Sequence, residues 1–193
     1  QLGCQAILCS PGFLYLNLGE GELSENALAS RLSYFLWSSP PDKTLLDLAR
    51  AGLLKTELTA QVTRMLADSK SDRFVTHFIR RWLDLDNIGT MPPSEDFLVF
   101  YRDNLESAMR AETEMFFRHV LDNNLPLSEF LGADYTFLNR ELATHYGIEG
   151  VQGNQLRRVE LNNSYRGGLL GQGALLTASA NGVDTSPVVR GIY

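Results

Sequence analysis

The 193-residue chain has only two cysteines, Cys4 and Cys9, and three histidines. The cysteines do not stand as C-x-x-C-H, so this pair does not attach a c-type haem. If Leu2–Cys9 is helical, helix geometry holds their Cα atoms roughly 8–9 Å apart. That is beyond the disulfide reach of about 7 Å. Two buried free thiols are expected, and a disulfide would need non-helical backbone. His77, His119 and His145 form no cluster with ligand spacing, which argues against structural zinc. No stretch reaches the roughly eighteen apolar residues of a membrane helix, so no membrane span is expected. The N-terminus also lacks the basic-then-apolar pattern of a signal peptide. Lys and Arg total 17 against 23 Asp and Glu, giving a net charge of −6 and a pI near 5.1. Without a basic footprint, nucleic acid is not an expected partner. The G-K-[ST] of a P-loop, the G-x-S-x-G elbow and the second histidine of H-E-x-x-H are all missing.

What is present is an ordinary globular composition, 44% hydrophobic and 21% charged. The length suits one or two domains. Helical spacing dominates. Leu2–Cys9 reads as a short apolar helix closed by Ser10-Pro11-Gly12, and Phe13–Leu18 fits helix or strand. Ser24 caps a helix reaching about Trp37, and Pro40-Pro41 breaks it. Asp42 caps another, which Gly52 ends. Further helices are expected over Glu57–Ala67 and from Ser71 to about Asp86. The second should carry Phe74, Val75, Phe78, Ile79, Trp82 and Leu85 as its core face. After Thr90-Met91-Pro92-Pro93 comes a long helix, about Ser94 to Asp122. Gly132–Phe137 reads as irregular, Asn139–His145 as a short helix stopped by Gly147, and Arg157–Leu161 as the best strand. Leu169 to about Thr177 reads as a helix despite Gly171 and Gly173, each costing about 1 kcal/mol relative to Ala. Ser186 caps a last helix that Pro187 opens. The fold expected is all-α, an irregular multi-helix bundle with one long central helix and at most one short strand pair.

The long helix holds the clearest chemical candidate. Phe97, Tyr101, Leu105, Ala108, Met115 and Phe116 share one face, and Glu112 and His119 fall in the middle of it. A carboxylate in an apolar stripe needs a partner. An arginine is one choice, with Arg31, Arg166 and Arg190 as candidates; a metal or acid–base site is the other. Glu141 and His145 stand four apart and share a face, which allows a surface contact or two ligands on one metal. Arg166-Gly167-Gly168 precedes a helix start. It can hold an anion there, or the glycines serve a tight turn while Arg166 pairs with an acid such as Glu112. Asp134 and Tyr135 can offer a carboxylate and a phenol to a cleft, or Asp134 and Thr136 can bond the local backbone. Phe13 and Tyr15 can stack on a sugar or pack in a core. The candidate catalytic set is therefore Glu112, Arg166 and His145, and the candidate binding set Asp134, Tyr135 and Arg190. No metal site is expected.

Several stretches together resemble a known kind of protein. Ile7–Tyr15 is similar to the end of one domain, and Leu28–Ser39 with Pro41-Asp42 to the start of the next. Arg80-Arg81-Trp82-Leu83, Glu112-Thr113-Glu114, Asp134–Asn139 and His145-Tyr146-Gly147-Ile148 resemble later parts of that same domain. Arg166-Gly167-Gly168-Leu169-Leu170 and Thr185–Gly191 resemble the opening of a third. The resemblance is to the secreted, cytochrome-c-linked multidomain proteins of planctomycete-type bacteria, built from consecutive domains of unknown function.

That resemblance implies residues 1–20 as the end of a preceding domain. It implies a helical domain over 24–150, with a subdomain split near 90–93, and the start of a truncated third domain over 151–193. The chain is expected to be a piece of a longer exported protein. It would carry no cofactor itself, with haem on a cytochrome-c-like domain of the same parent as its partner. Two roles are expected. One is a helical module that positions the redox domain or binds a partner or substrate. The other is an enzyme, redox or hydrolytic and acting on a polysaccharide or its oxidation products, in which Glu112 works with Arg166, His119 or His145. No feature of the sequence sets an oligomeric state.

Overall fold

The computed structural model describes residues 2–15, 21–90, 94–95, 104–162, 166–181, 183–184 and 186–191. They are mostly helical, with one two-stranded antiparallel sheet. The chain divides into two compact units, Gln1–Phe74 and Val75–Tyr193.

In the first unit, helices α1 (Leu2–Leu8) and α2 (Pro11–Leu14) precede α3 (Glu25–Trp37), α4 (Lys43–Ala51) and α5 (Leu58–Leu66). Their ends follow the chemistry read from the sequence. The Ser24 hydroxyl accepts the Ala27 N–H at 3.2 Å and the Asp42 carboxylate accepts the Leu45 N–H at 3.0 Å. Gly52 closes α4 in the left-handed conformation. Ala29, Leu36, Trp37, Leu45, Leu54 and Met65 form the core of this unit. The Trp37 indole N–H donates to the Met65 carbonyl at 2.9 Å, which satisfies its one polar atom inside that core.

Two expectations fail in this unit. Cys4 and Cys9 are free but exposed, because α1 buries none of its residues. Phe13 and Tyr15 are exposed rather than packed in a core. Pro11 opens α2 at its first turn instead of only closing α1, since a proline N–H is not needed there.

α6 (Asp72–Trp82) is shorter than the single helix expected over 71–86. Single 3-10 turns, Ser69–Ser71 and Leu85–Asn87, flank it. In the second unit Val75, Ile79, Leu83 and Leu85 are buried, while Phe78 and Trp82 keep 38% and 39% of their surface exposed. These two rings belong to an aromatic cluster with Phe117, and Trp82 also meets Phe130 edge-on.

The second unit is built on α7 (Leu105–Asp122), an 18-residue helix. The Phe97 and Tyr101 positions assigned to its stripe lie outside the described residues. Leu105, Ala108, Met109, Glu112, Thr113, Phe116, Phe117 and Val120 are buried on it, whereas Met115 is partly exposed. The inner face is thus turned slightly from the expected stripe. A short α8 (Glu129–Gly132) leads to β1 (Tyr135–Leu138), where an irregular segment was expected. β1 pairs antiparallel with β2 (Arg157–Glu160), Tyr135 opposite Glu160 and Leu138 opposite Arg157. Between them runs α9 (Arg140–Tyr146), capped by the Asn139 side chain on the Leu142 N–H at 2.9 Å and stopped by left-handed Gly147.

The helix expected over Leu169–Thr177 is interrupted. A 3-10 turn, Leu169–Gly171, gives way at extended Gln172 to α10 (Gly173–Ala178). α11 (Pro187–Arg190) ends the described chain, with the Ser186 hydroxyl accepting the Val189 N–H at 3.3 Å.

Candidate functional site

Glu112 is 1% exposed, and its carboxylate is held by two hydroxyls. Thr136 on β1 donates to Oε1 at 2.5 Å, and Tyr146 at the end of α9 donates to Oε2 at 2.6 Å. The Tyr146 oxygen in turn accepts the Gly173 N–H at 2.7 Å. One carboxylate on α7 therefore ties β1, α9 and the first turn of α10 together. The chain reaches this point because α7 presents Glu112 between Met109 and Phe116 on its buried face. The Asn139 cap then starts α9 so that Tyr146 falls at its inner end.

Arg166 joins from the loop before α10. Its guanidinium lies over the Tyr146 ring, 4.0 Å from the centroid, and its Nη1 donates to the Gly171 carbonyl at 3.1 Å. The direct ion pair suggested by the sequence is replaced by hydroxyl donors, with Arg166 acting across the ring. Burial pushes the Glu112 carboxyl up to about 7, against the pull of the Thr136 and Tyr146 hydrogen bonds and the Arg166 charge. Burial, with Glu112 next to it, also drives the Tyr146 phenol far above its usual range. The donors on Glu112 suit its ionised form, since both oxygens act as acceptors.

Two glycines make this closeness possible. A Cβ on Gly173 would lie 2.8 Å from the Tyr146 hydroxyl and 2.9 Å from Met109 Cε. Gly168 has φ +56°, and a Cβ there would lie 2.4 Å from the Phe130 carbonyl oxygen. The glycines of the 166–173 stretch thus let the loop seat against α8 and α9. Next to Glu112 on α7, the Thr113 hydroxyl donates to Gln172 Oε1 at 2.7 Å. The buried Gln172 amide nitrogen has no hydrogen bond among the described residues.

The other sequence candidates fall in different surroundings. His145 precedes Tyr146 but turns toward solvent; the buried part of its ring, and then the Arg166 charge, hold its pKa below the usual range. Tyr135 is buried, its ring stacked on Phe116 and edge-on to His119, with Arg158 over its other face. Asp134 is exposed, and its backbone carbonyl takes the Leu161 N–H at 2.6 Å. The Arg190 side chain lies outside the described residues. Glu114, two residues from Glu112, accepts from Arg80 at 3.2 Å and Thr76 at 3.4 Å. Sequence reasoning missed Thr136 and Tyr146 as partners of Glu112, and Gly173 as a partner of Tyr146. The one available signal was that Tyr146 and Thr136 both lie in stretches carrying the resemblance.

A cleft of about 670 Å³ runs beside another face of α7, with Ala108, Ala111, Met115, Arg140 and Glu141 among its lining residues. Glu112 is not part of that lining. Among the described residues, no three His, Cys, Asp or Glu side chains gather as a metal site, and no helix is long and apolar enough to cross a membrane.

The family described as PSD4, protein of unknown function (DUF1592), matches residues 23–148. The chain belongs to this family. No curated protein matches the chain, and no solved structure does. The DUF1592 match takes in Glu112, Thr136 and Tyr146 and ends before Arg166 and Gly173. The family region thus supplies the carboxylate and its two donors, and the residues after it supply the Gly173 N–H and the guanidinium.

Proposed function

We propose that this chain is a non-haem helical module of an exported, cytochrome-linked bacterial protein, positioning a redox domain or binding its partner or substrate. The observation that carries the reading is the enclosure of Glu112. Among the described residues its hydrogen-bond donors are the Thr136 and Tyr146 hydroxyls, and it stands apart from the cleft. A carboxylate so held fastens α7 to β1 and α9 and presents no free oxygen to a substrate. The export and the cytochrome linkage rest on the resemblance of the stretches from Ile7 onward. Haem would sit on the cytochrome-c-like domain of the parent, since Cys4 and Cys9 do not form an attachment site.

The test is a calorimetric titration of this chain with the parent's c-type cytochrome domain. Saturable binding, with a shift in the haem potential, is the expected result. No binding at concentrations up to about 1 mM would overturn the reading.

A second reading is favoured by one observation, the Glu112 carboxyl brought near 7 with Arg166 across the Tyr146 ring. It is an enzyme module, redox or hydrolytic and polysaccharide-related, using Glu112 with Arg166 or His145. It requires Glu112→Gln to abolish turnover in a protein that stays folded.

A further inference from the structure

The cleft is formed by three segments of the second unit: one stripe of α7, the outer side of α9, and residues 154–156. Its floor is small and apolar, made of Ala108, Ala111, Met115 and Leu156. Around the floor stand Asn104, Ser107, Arg140, Glu141 and Gln155. Among the described residues, none of these five side chains makes a hydrogen bond or ion pair within the fold. Arg140 and Glu141 are of special interest. They are adjacent and of opposite charge, and both face the cleft without pairing with each other. Adjacent positions on a helix point apart, which leaves both groups available to an occupant.

The chemistry of the lining narrows the occupant. Among the described lining residues one cation and one anion sum to no net charge, which favours neither a polyanion nor a polycation. The amides of Asn104 and Gln155 each offer a donor and an acceptor side by side, which matches the N–H and C=O of a peptide backbone. The alanine floor leaves room for side chains above it. A sugar ring favours a flat aromatic face, and among the described residues no aromatic ring lines the cleft. The volume falls within the range of about 300–1,000 Å³ typical of small-ligand sites.

We infer that this cleft binds a short extended peptide segment, with an acidic group of the peptide on Arg140 and a basic group on Glu141. Asn104 and Gln155 then take backbone amides of the segment, and Met115 lies under a small apolar side chain. The inference does not use Glu112 and stands whether or not the parent carries haem.

The test is an amide NMR titration of the whole chain with the blocked peptide acetyl-Ala-Glu-Ala-Lys-Ala-amide, run beside a neutral β-linked glucose pentasaccharide. The expected result is saturable shifts at Ala111, Thr144 and Gln155 with the peptide, at a Kd near or below about 1 mM. The double change Arg140→Ala and Glu141→Ala, at an exposed and a half-buried position, should weaken binding at least about tenfold while leaving the unfolding midpoint in place. Shifts with the saccharide alone would overturn the inference. So would no saturable shift with the peptide, or equal binding by the double variant.

Discussion

The Tyr146 hydroxyl donates to Glu112 Oε2 at 2.6 Å, and the same oxygen accepts the Gly173 N–H at 2.7 Å. One phenol thus couples the carboxylate of α7 to the first residue of α10. Replacing Tyr146 by Phe keeps the ring under Arg166 and removes both hydrogen bonds. A buried carboxylate and a buried N–H are left short of a partner, at about 1–3 kcal/mol each. Urea unfolding at neutral pH should show a loss within that range or above it. A change below about 0.5 kcal/mol would mean that the two bonds do not contribute.

Two glycines at positive φ should differ in their tolerance of a methyl group. At Gly168 the obstacle is backbone, the Phe130 carbonyl oxygen 2.4 Å from a Cβ, on top of a positive φ. At Gly52, also at positive φ, nothing lies within 4 Å. Gly168→Ala should therefore be the costlier change, by about 2 kcal/mol or more, while Gly52→Ala should cost only about 1 kcal/mol for its left-handed backbone. Thermal unfolding of the two variants checks the order, and equal losses would contradict it.

Cys4 and Cys9 are exposed in the folded state. A colorimetric thiol reagent should titrate two thiols per chain without denaturant, at rates near those of a small-molecule thiol. Protection of either until denaturant is added would contradict their exposure.

Much of the helical frame was legible because it rests on local chemistry. Ser24, Asp42 and Ser186 cap the helices assigned to them, Gly52 and Gly147 stop theirs, and Asn139, read as the first helical residue, is itself a cap. β1 was not legible, because all four of its residues are buried and the alternation that marks a half-buried strand never arises. Phe78 and Trp82 share a helical face with Ile79, yet spacing does not tell full burial from a place at the edge of an aromatic cluster. Glu112 could be singled out because a charge in an apolar stripe demands explanation. Its partners lie 24 and 34 residues further along, where no local pattern reaches. Arginine was the natural guess for a buried acid. In the structure the acid is satisfied by hydroxyls, because Tyr146 lies between it and Arg166.

The enclosure of Glu112 has a definite pH signature. Its carboxyl is raised from 4.5 in the unfolded chain to about 7 in the fold. The contribution of this group to stability is therefore fully present below pH 4.5 and is lost as pH rises toward 7, then stays flat above it. At about 1.4 kcal/mol per unit, the change over that window is about 3 kcal/mol. Other carboxylates titrate too, so the measured quantity is the stability of the wild type minus that of Glu112→Gln. An amide at this position can accept from Tyr146 and donate to the Thr136 oxygen, and so stands in for the protonated acid.

The most direct measurement is urea unfolding of the wild type and Glu112→Gln at pH 5 and pH 8. The account predicts that both fold and that the wild type loses stability relative to the variant, by about 2–3 kcal/mol, between the two pH values. A difference that does not change with pH would contradict it, because the Glu112 carboxyl would then titrate in the fold as it does in the unfolded chain.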